Sequence, residues 1–138
     1  MKSRDSVRYL LRRRNAPPNV VRGGLQSLLK RWEKTVAAVT AGYTLGSDDY
    51  LNDMDGRQLI HEALQVATDA QKSRISATLA RIDADFLAAS EPAAHCIWGP
   101  KAAAENRWTK DQNWWYFRLP RLATPDFRTL AKSARSKP

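Results

Sequence analysis

Arginine is the residue type whose placement in this chain could do chemistry. Arg4, Arg8 and Arg12 recur at every fourth position, Arg13 and Arg14 follow directly, and Arg22, Lys30 and Arg31 come after a short interval. A guanidinium offers a planar fork of donors that matches phosphate oxygens, and each phosphate neutralised releases counterions, so this concentration suits a polyanion. The same cations would also serve a solvated face, an acidic protein partner or the chain's own acidic middle. An Arg-rich amphipathic start is shared with transit peptides and membrane-surface helices, against which Asp5 counts.

Aromatic residues supply a second candidate chemistry. Four of the five Trp residues, at 98, 108, 114 and 115, fall in the last 41 positions, and Tyr116, Phe117, Arg118 and Arg121 follow them. Rings beside Arg can stack on unpaired bases, which makes Trp115, Arg118 and Arg121 secondary candidates for contact with nucleic acid. The competing expectation is an extended segment that lays alternate rings into a helical core, with Trp114 and Tyr116 facing one way and Trp115 and Phe117 the other.

Other constellations are weaker. Asp48, Asp49, Asp53, Asp55 and Glu62 gather near His61. Read as a calcium loop from Leu51 to Glu62, however, they place Leu51 where the first ligand oxygen is required. Carboxylates at a helix start complement its dipole, which is the expectation here. His95 and Cys96 are adjacent, a spacing that points their side chains apart, and there is no Gly-rich phosphate loop, paired-cysteine motif or nucleophile elbow. No catalytic residue, metal ligand or cofactor is assigned.

The elements that would position these residues follow from periodicity. Ser3 to Arg14 reads as a short basic helix with Val7 and Leu11 as a narrow apolar stripe, broken by Pro17-Pro18 and therefore expected to be an appendage on a stiff linker. From a cap at Asn19 to about Tyr43, Val21, Leu25, Leu28, Leu29, Trp32, Val36 and Val39 keep an unbroken helical register, weakened at Gly23-Gly24. A second helix is expected from a cap at Ser47 or Asp48, with Gly56 as a place to kink or split. A third is expected from Asp69, with Ile75, Leu79, Ile82 and Phe86 as its stripe, ending at Ser90-Glu91-Pro92. Residues 95–100 read as a loop, Lys101 to Arg107 as a helical turn, Trp114 to Leu119 as extended, and Thr124-Pro125 as the start of a last short helix.

Charge and composition bound the class. The net charge of +9 resolves into +8 over residues 1–35, −5 over 36–96 and +6 over 97–138. The chain has 20 Ala and 14 Leu against 10 Val and Ile together, which favours helix over sheet. At 138 residues it can bury a core without disulfides, its single Cys96 fits a reducing compartment, and no apolar run could span a bilayer. The expectation is an all-α protein of the cytoplasm: a small antiparallel bundle of three main helices (19–91), a basic arm and linker (1–18), an aromatic packing segment (92–123), and a short helix with a basic tail (124–138). Its expected function is non-enzymatic binding of DNA, RNA or a nucleoprotein complex through the basic ends. The alternative is a protein–protein module, whether an adaptor, an antitoxin- or immunity-type partner, or an accessory subunit of a larger complex.

Overall fold

The computed structural model describes residues 3–125 and 127. Five helices carry most of them: α1 (Ser6–Arg13), α2 (Pro18–Ala41), α3 (Ser47–Val66), α4 (Asp69–Ala89) and α5 (Pro100–Asn106). Two short strands, β1 (Ser90–Pro92) and β2 (Arg118–Pro120), pair antiparallel with Ser90 opposite Pro120. The all-α class holds, with this two-stranded ribbon added.

Local chemistry explains the helix ends. Pro18 occupies the first turn of α2, where a missing N–H costs nothing, so the helix begins before the cap expected at Asn19. Thr68, rather than Asp69, caps α4. Its hydroxyl accepts from Gln71 N–H at 3.2 Å while the Gln71 carboxamide accepts from Thr68 N–H at 2.9 Å, a reciprocal capping box. Gly46, rather than Ser47 or Asp48, precedes α3, and the Asp49 carboxylate accepts its N–H at 3.1 Å. Helix α3 runs unbroken through Gly56, whereas α2 breaks at Gly24, where φ is 58° and ψ −139°. Only glycine adopts that backbone readily.

Helix α1 is not an appendage. Val7 and Leu11 are buried against α2 and α3. Burying each such side chain is worth about 1.5–3 kcal/mol, enough to dock a two-turn helix that could not persist alone.

The aromatic segment also departs from the extended expectation. Trp114–Phe117 is one turn of 3-10 helix. At three residues per turn, Trp114 and Phe117 share a half-buried side while the adjacent Trp115 and Tyr116 are both buried, so the predicted alternation is absent. Beyond it, Phe127 packs edge-on to Tyr43 and Tyr50 at 5.2 Å. The remainder of the expected last helix and the basic tail lie outside the described residues.

Among the buried residues sits a charge. Arg57 on α3 is 6% exposed. Its Nε and Nη2 donate to the two carboxylate oxygens of Asp83 on α4 at 3.0 and 2.9 Å, and Trp32 Nε1 on α2 donates to the same carboxylate at 2.9 Å. The guanidinium carbon lies 4.4 Å from the Trp115 ring centroid and 5.5 Å from that of Trp114. The 3-10 turn therefore closes over one end of an ion pair whose carboxylate joins three helices.

Candidate nucleic-acid interface

Pinning Val7 and Leu11 inward decides where the rest of α1 points. Arg4, Arg8, Arg12 and Arg13 are all exposed, and so is Tyr9, at 61%. Arg13 lies over the Tyr9 ring at 5.9 Å, one helical turn away. Arg8 Nη2 donates to the Arg22 carbonyl at 3.2 Å, which ties α1 to the start of α2 and brings exposed Arg22 to the same surface. Arg8 also meets Asp5 at 3.7 Å. Among the described residues, Arg4, Arg12, Arg13, Arg22 and Lys30 make no ion pair. Cations held together without carboxylates raise the local positive potential, and an incoming anion lowers it.

Beside this face lies a groove of about 470 Å³. Arg4 and Arg8 form one wall, the Gly23–Gly24 backbone and Gln26 another, and Gln71 and Arg74 at the start of α4 a third. The Gln71 carboxamide donates to the Arg4 carbonyl at 3.2 Å and so joins two of the walls.

The other predicted residues are placed elsewhere. Arg14 is an anchor: it pairs with Glu62 on α3, which also accepts from Gln58 at 3.2 Å. Arg31 lines a separate depression of about 360 Å³ between α2 and α3 with Lys34, Leu45 and Asp53. Trp115 is 1% exposed and has no face free to stack on a base. Arg118 uses its guanidinium internally, donating to Ser90 Oγ at 2.7 Å and to the Ser90 and Leu87 carbonyls at 2.9 and 3.2 Å. Burial, then the neighbouring Arg121, lowers its pKa from the usual arginine value. Arg121 donates to the Ala88 carbonyl at 3.3 Å. The aromatic segment thus serves the core, and among the described residues the candidate interface lies on the N-terminal third and α4.

The acidic residues are likewise engaged in structure. Tyr43 Oη donates to Asp53 at 2.6 Å, and Tyr116 Oη and Trp98 Nε1 donate to Asp55 at 2.7 and 3.2 Å. Burial raises the pKa of both carboxyls against the lowering effect of those bonds. Among the described residues, no group of three His, Cys, Asp or Glu side chains could hold a metal ion. Cys96 is buried, and burial pushes its thiol upward, which leaves little thiolate to act as a nucleophile.

Two residues of this surface escaped the sequence reading. Tyr9 sits two positions from each stripe residue, about 200° around the helix, so its exposure was implied by the stripe itself. Arg74 belongs to the acidic middle, and a regional net charge conceals a single cation that the fold carries to the groove beside Arg4 and Arg8. No protein family matches the chain, and comparisons with curated proteins and with solved structures find no significant match.

Proposed function

We propose that this protein is a non-enzymatic binding protein that holds nucleic acid, free or within a nucleoprotein complex, on the outer face of α1 and the adjoining start of α2. The observation that carries this reading is the docking of α1, which turns a basic segment into a fixed array. Arg4, Arg12, Arg13 and Arg22 lie there beside Arg8 with no carboxylate to satisfy them. In this reading Arg4, Arg8, Arg12, Arg13 and Arg22 contact phosphates, exposed Lys30 in mid-α2 extends the basic track along that helix, and Tyr9 offers its ring to an unpaired base. Contacts of that kind are tolerant of sequence and sensitive to salt.

The test is fluorescence anisotropy with labelled single-stranded and duplex DNA and RNA across a salt series. The full chain is compared with a variant carrying Arg4→Gln, Arg12→Gln and Arg13→Gln, positions that anchor nothing in the core. The expected result is binding whose logarithm falls with log salt, and a slope reduced in the variant by about 0.9 per lost contact on duplex DNA. Absence of binding at low salt refutes the reading.

A second reading rests on a different surface. An apolar groove of about 890 Å³ runs between α2 and α4, lined by Val36, Val39, Ala88, Ala89 and Leu122. Leu122 is 63% exposed. A protein partner covering this groove would make the chain an adaptor, an antitoxin- or immunity-type partner, or a subunit of a larger complex. A monodisperse monomer in sedimentation, with no partner recovered from its host, removes that reading. We also read α2, α3 and α4 as an antiparallel three-helix core to which α1 adds a fourth helix. Supporting this, Tyr43 just beyond α2 meets Tyr50 in the first turn of α3 at 5.5 Å, and Trp32 in mid-α2 meets Phe86 near the end of α4 at 5.1 Å. The buried single thiol is consistent with a cytoplasmic setting, and among the described residues no helix is long and apolar enough to cross a membrane.

A further inference from the structure

We infer that the groove between α1, the Gly24 break and α4 is a phosphate-binding subsite in which Arg74 completes a cluster begun by Arg4 and Arg8. The inference rests on the nucleic-acid reading for its biological ligand, but its chemistry stands on the groove alone. Three arginines, Arg4 just before α1, Arg8 on it and Arg74 on α4, line one concavity of about 470 Å³, and the only carboxylate lining it is Asp5. Like charges converging in a recess repel one another, and a tetrahedral oxyanion that accepts from several forks at once relieves that repulsion. Asp5 does so only in part, through a single long contact of 3.7 Å to Arg8 on an exposed helix end.

The Gly23–Gly24 wall of the groove carries no side chain. Gly24 has φ 58° and ψ −139°, a conformation that interrupts α2 and removes the side chain from the wall. A Cβ placed there would meet nothing within 4 Å, so glycine is demanded by the backbone angle and not by crowding. The result is a stretch of wall without a side chain in the groove that Arg4, Arg8 and Arg74 also line. A free phosphate and the phosphate of a bound strand share the chemistry the groove would recognise, and the experiment separates them.

Two measurements on the full-length chain decide the matter, using the wild type, Arg74→Gln and Asp5→Asn. The first is oligonucleotide anisotropy across salt. Arg74→Gln is expected to lower the log–log salt slope by about 0.7 for a single strand and 0.9 for a duplex. Asp5→Asn, which removes the internal competitor, is expected to tighten binding by about two- to fivefold. The second is an amide NMR titration with inorganic phosphate, with saturable shifts at Gly24, Gln26 and Arg74 expected in the wild type and lost in Arg74→Gln. Oligonucleotide binding whose slope Arg74→Gln leaves unchanged overturns the subsite while the nucleic-acid reading stands. If no oligonucleotide binds, that reading falls, and the phosphate titration judges the groove alone. Localised shifts support it, and their absence overturns it. Both variants are at exposed positions, and unchanged amide spectra away from the groove verify the fold.

Discussion

Replacing Asp83 with alanine removes three hydrogen bonds at once, two from Arg57 and one from Trp32 Nε1. The cost follows from what is left behind. Arg57 remains charged at 7% side-chain exposure without its counter-ion, a situation that costs about 3–5 kcal/mol. Asp83 is itself 18% exposed, so water can enter where the carboxylate was, and the two Trp rings still face the cation. Both considerations place the loss toward the lower end of that range, about 3 kcal/mol. The orphaned indole N–H adds about 1 kcal/mol, for a total near 4. Against a domain stability of about 5–15 kcal/mol, that is a large fraction. Urea denaturation of Asp83→Ala reads the loss as a lower midpoint with an unchanged slope. The double variant Arg57→Met/Asp83→Leu, which substitutes apolar volume for both charges, is expected to recover most of it. A loss below about 1 kcal/mol in the single variant, or a double variant as unstable as the single one, refutes the account of a buried, mutually dependent pair.

Leu11→Ala should cost about 2–4 kcal/mol and strip hydrogen-exchange protection from residues 6–13 before the rest of the chain, because it removes a side chain with no measurable exposure from the apolar stripe that seats α1. Tyr9→Ala should weaken single-stranded binding by about 1–3 kcal/mol while leaving the salt slope and duplex affinity unchanged, which anisotropy would show. His61, 5.4 Å from Trp115, has its pKa lowered from 6.5 by burial and then by Arg57. The unfolded chain therefore binds this proton more readily than the folded one. Its contribution to stability is complete above the ordinary histidine value and is lost as pH falls through that value toward the lowered one. His61→Gln should flatten that part of a stability–pH curve measured by urea titration.

Periodicity alone disclosed much of this molecule. The stripe from Leu25 to Val39 and the one from Ile75 to Phe86 placed α2 and α4, since burial on one face leaves a repeat that any reader can count. The stripe of α3 was also visible as Tyr50, Met54 and Ile60, and the gap in it falls on Arg57. Register placed that arginine in the core, but a cation there depends on Asp83 and two Trp residues more than 20 positions away, a coincidence only tertiary structure creates. The docking of α1 was hidden for the opposite reason. Two apolar residues among five arginines look like a solvated arm until α2 and α3 supply a surface to receive them. The 3-10 turn at Trp114 was misread because aromatic enrichment signals strand equally well, and the tight turn is imposed by the rings seated over Arg57.

The order in which the chain is made gives the buried arginine a history. Arg57 and Asp83 leave a ribosome well before Trp114 and Trp115, and Tyr50 and Asp55 before the Arg118 carbonyl and the Tyr116 hydroxyl to which they are joined. Between the making of residue 83 and that of residue 114 the ion pair therefore lacks the two rings that cover it, and its full dehydration waits for them. The costly desolvation is deferred until helices are in place to compensate it. A nascent chain stopped before residue 114 would lack that cover, and closing the core over the ion pair would fall to the aromatic turn.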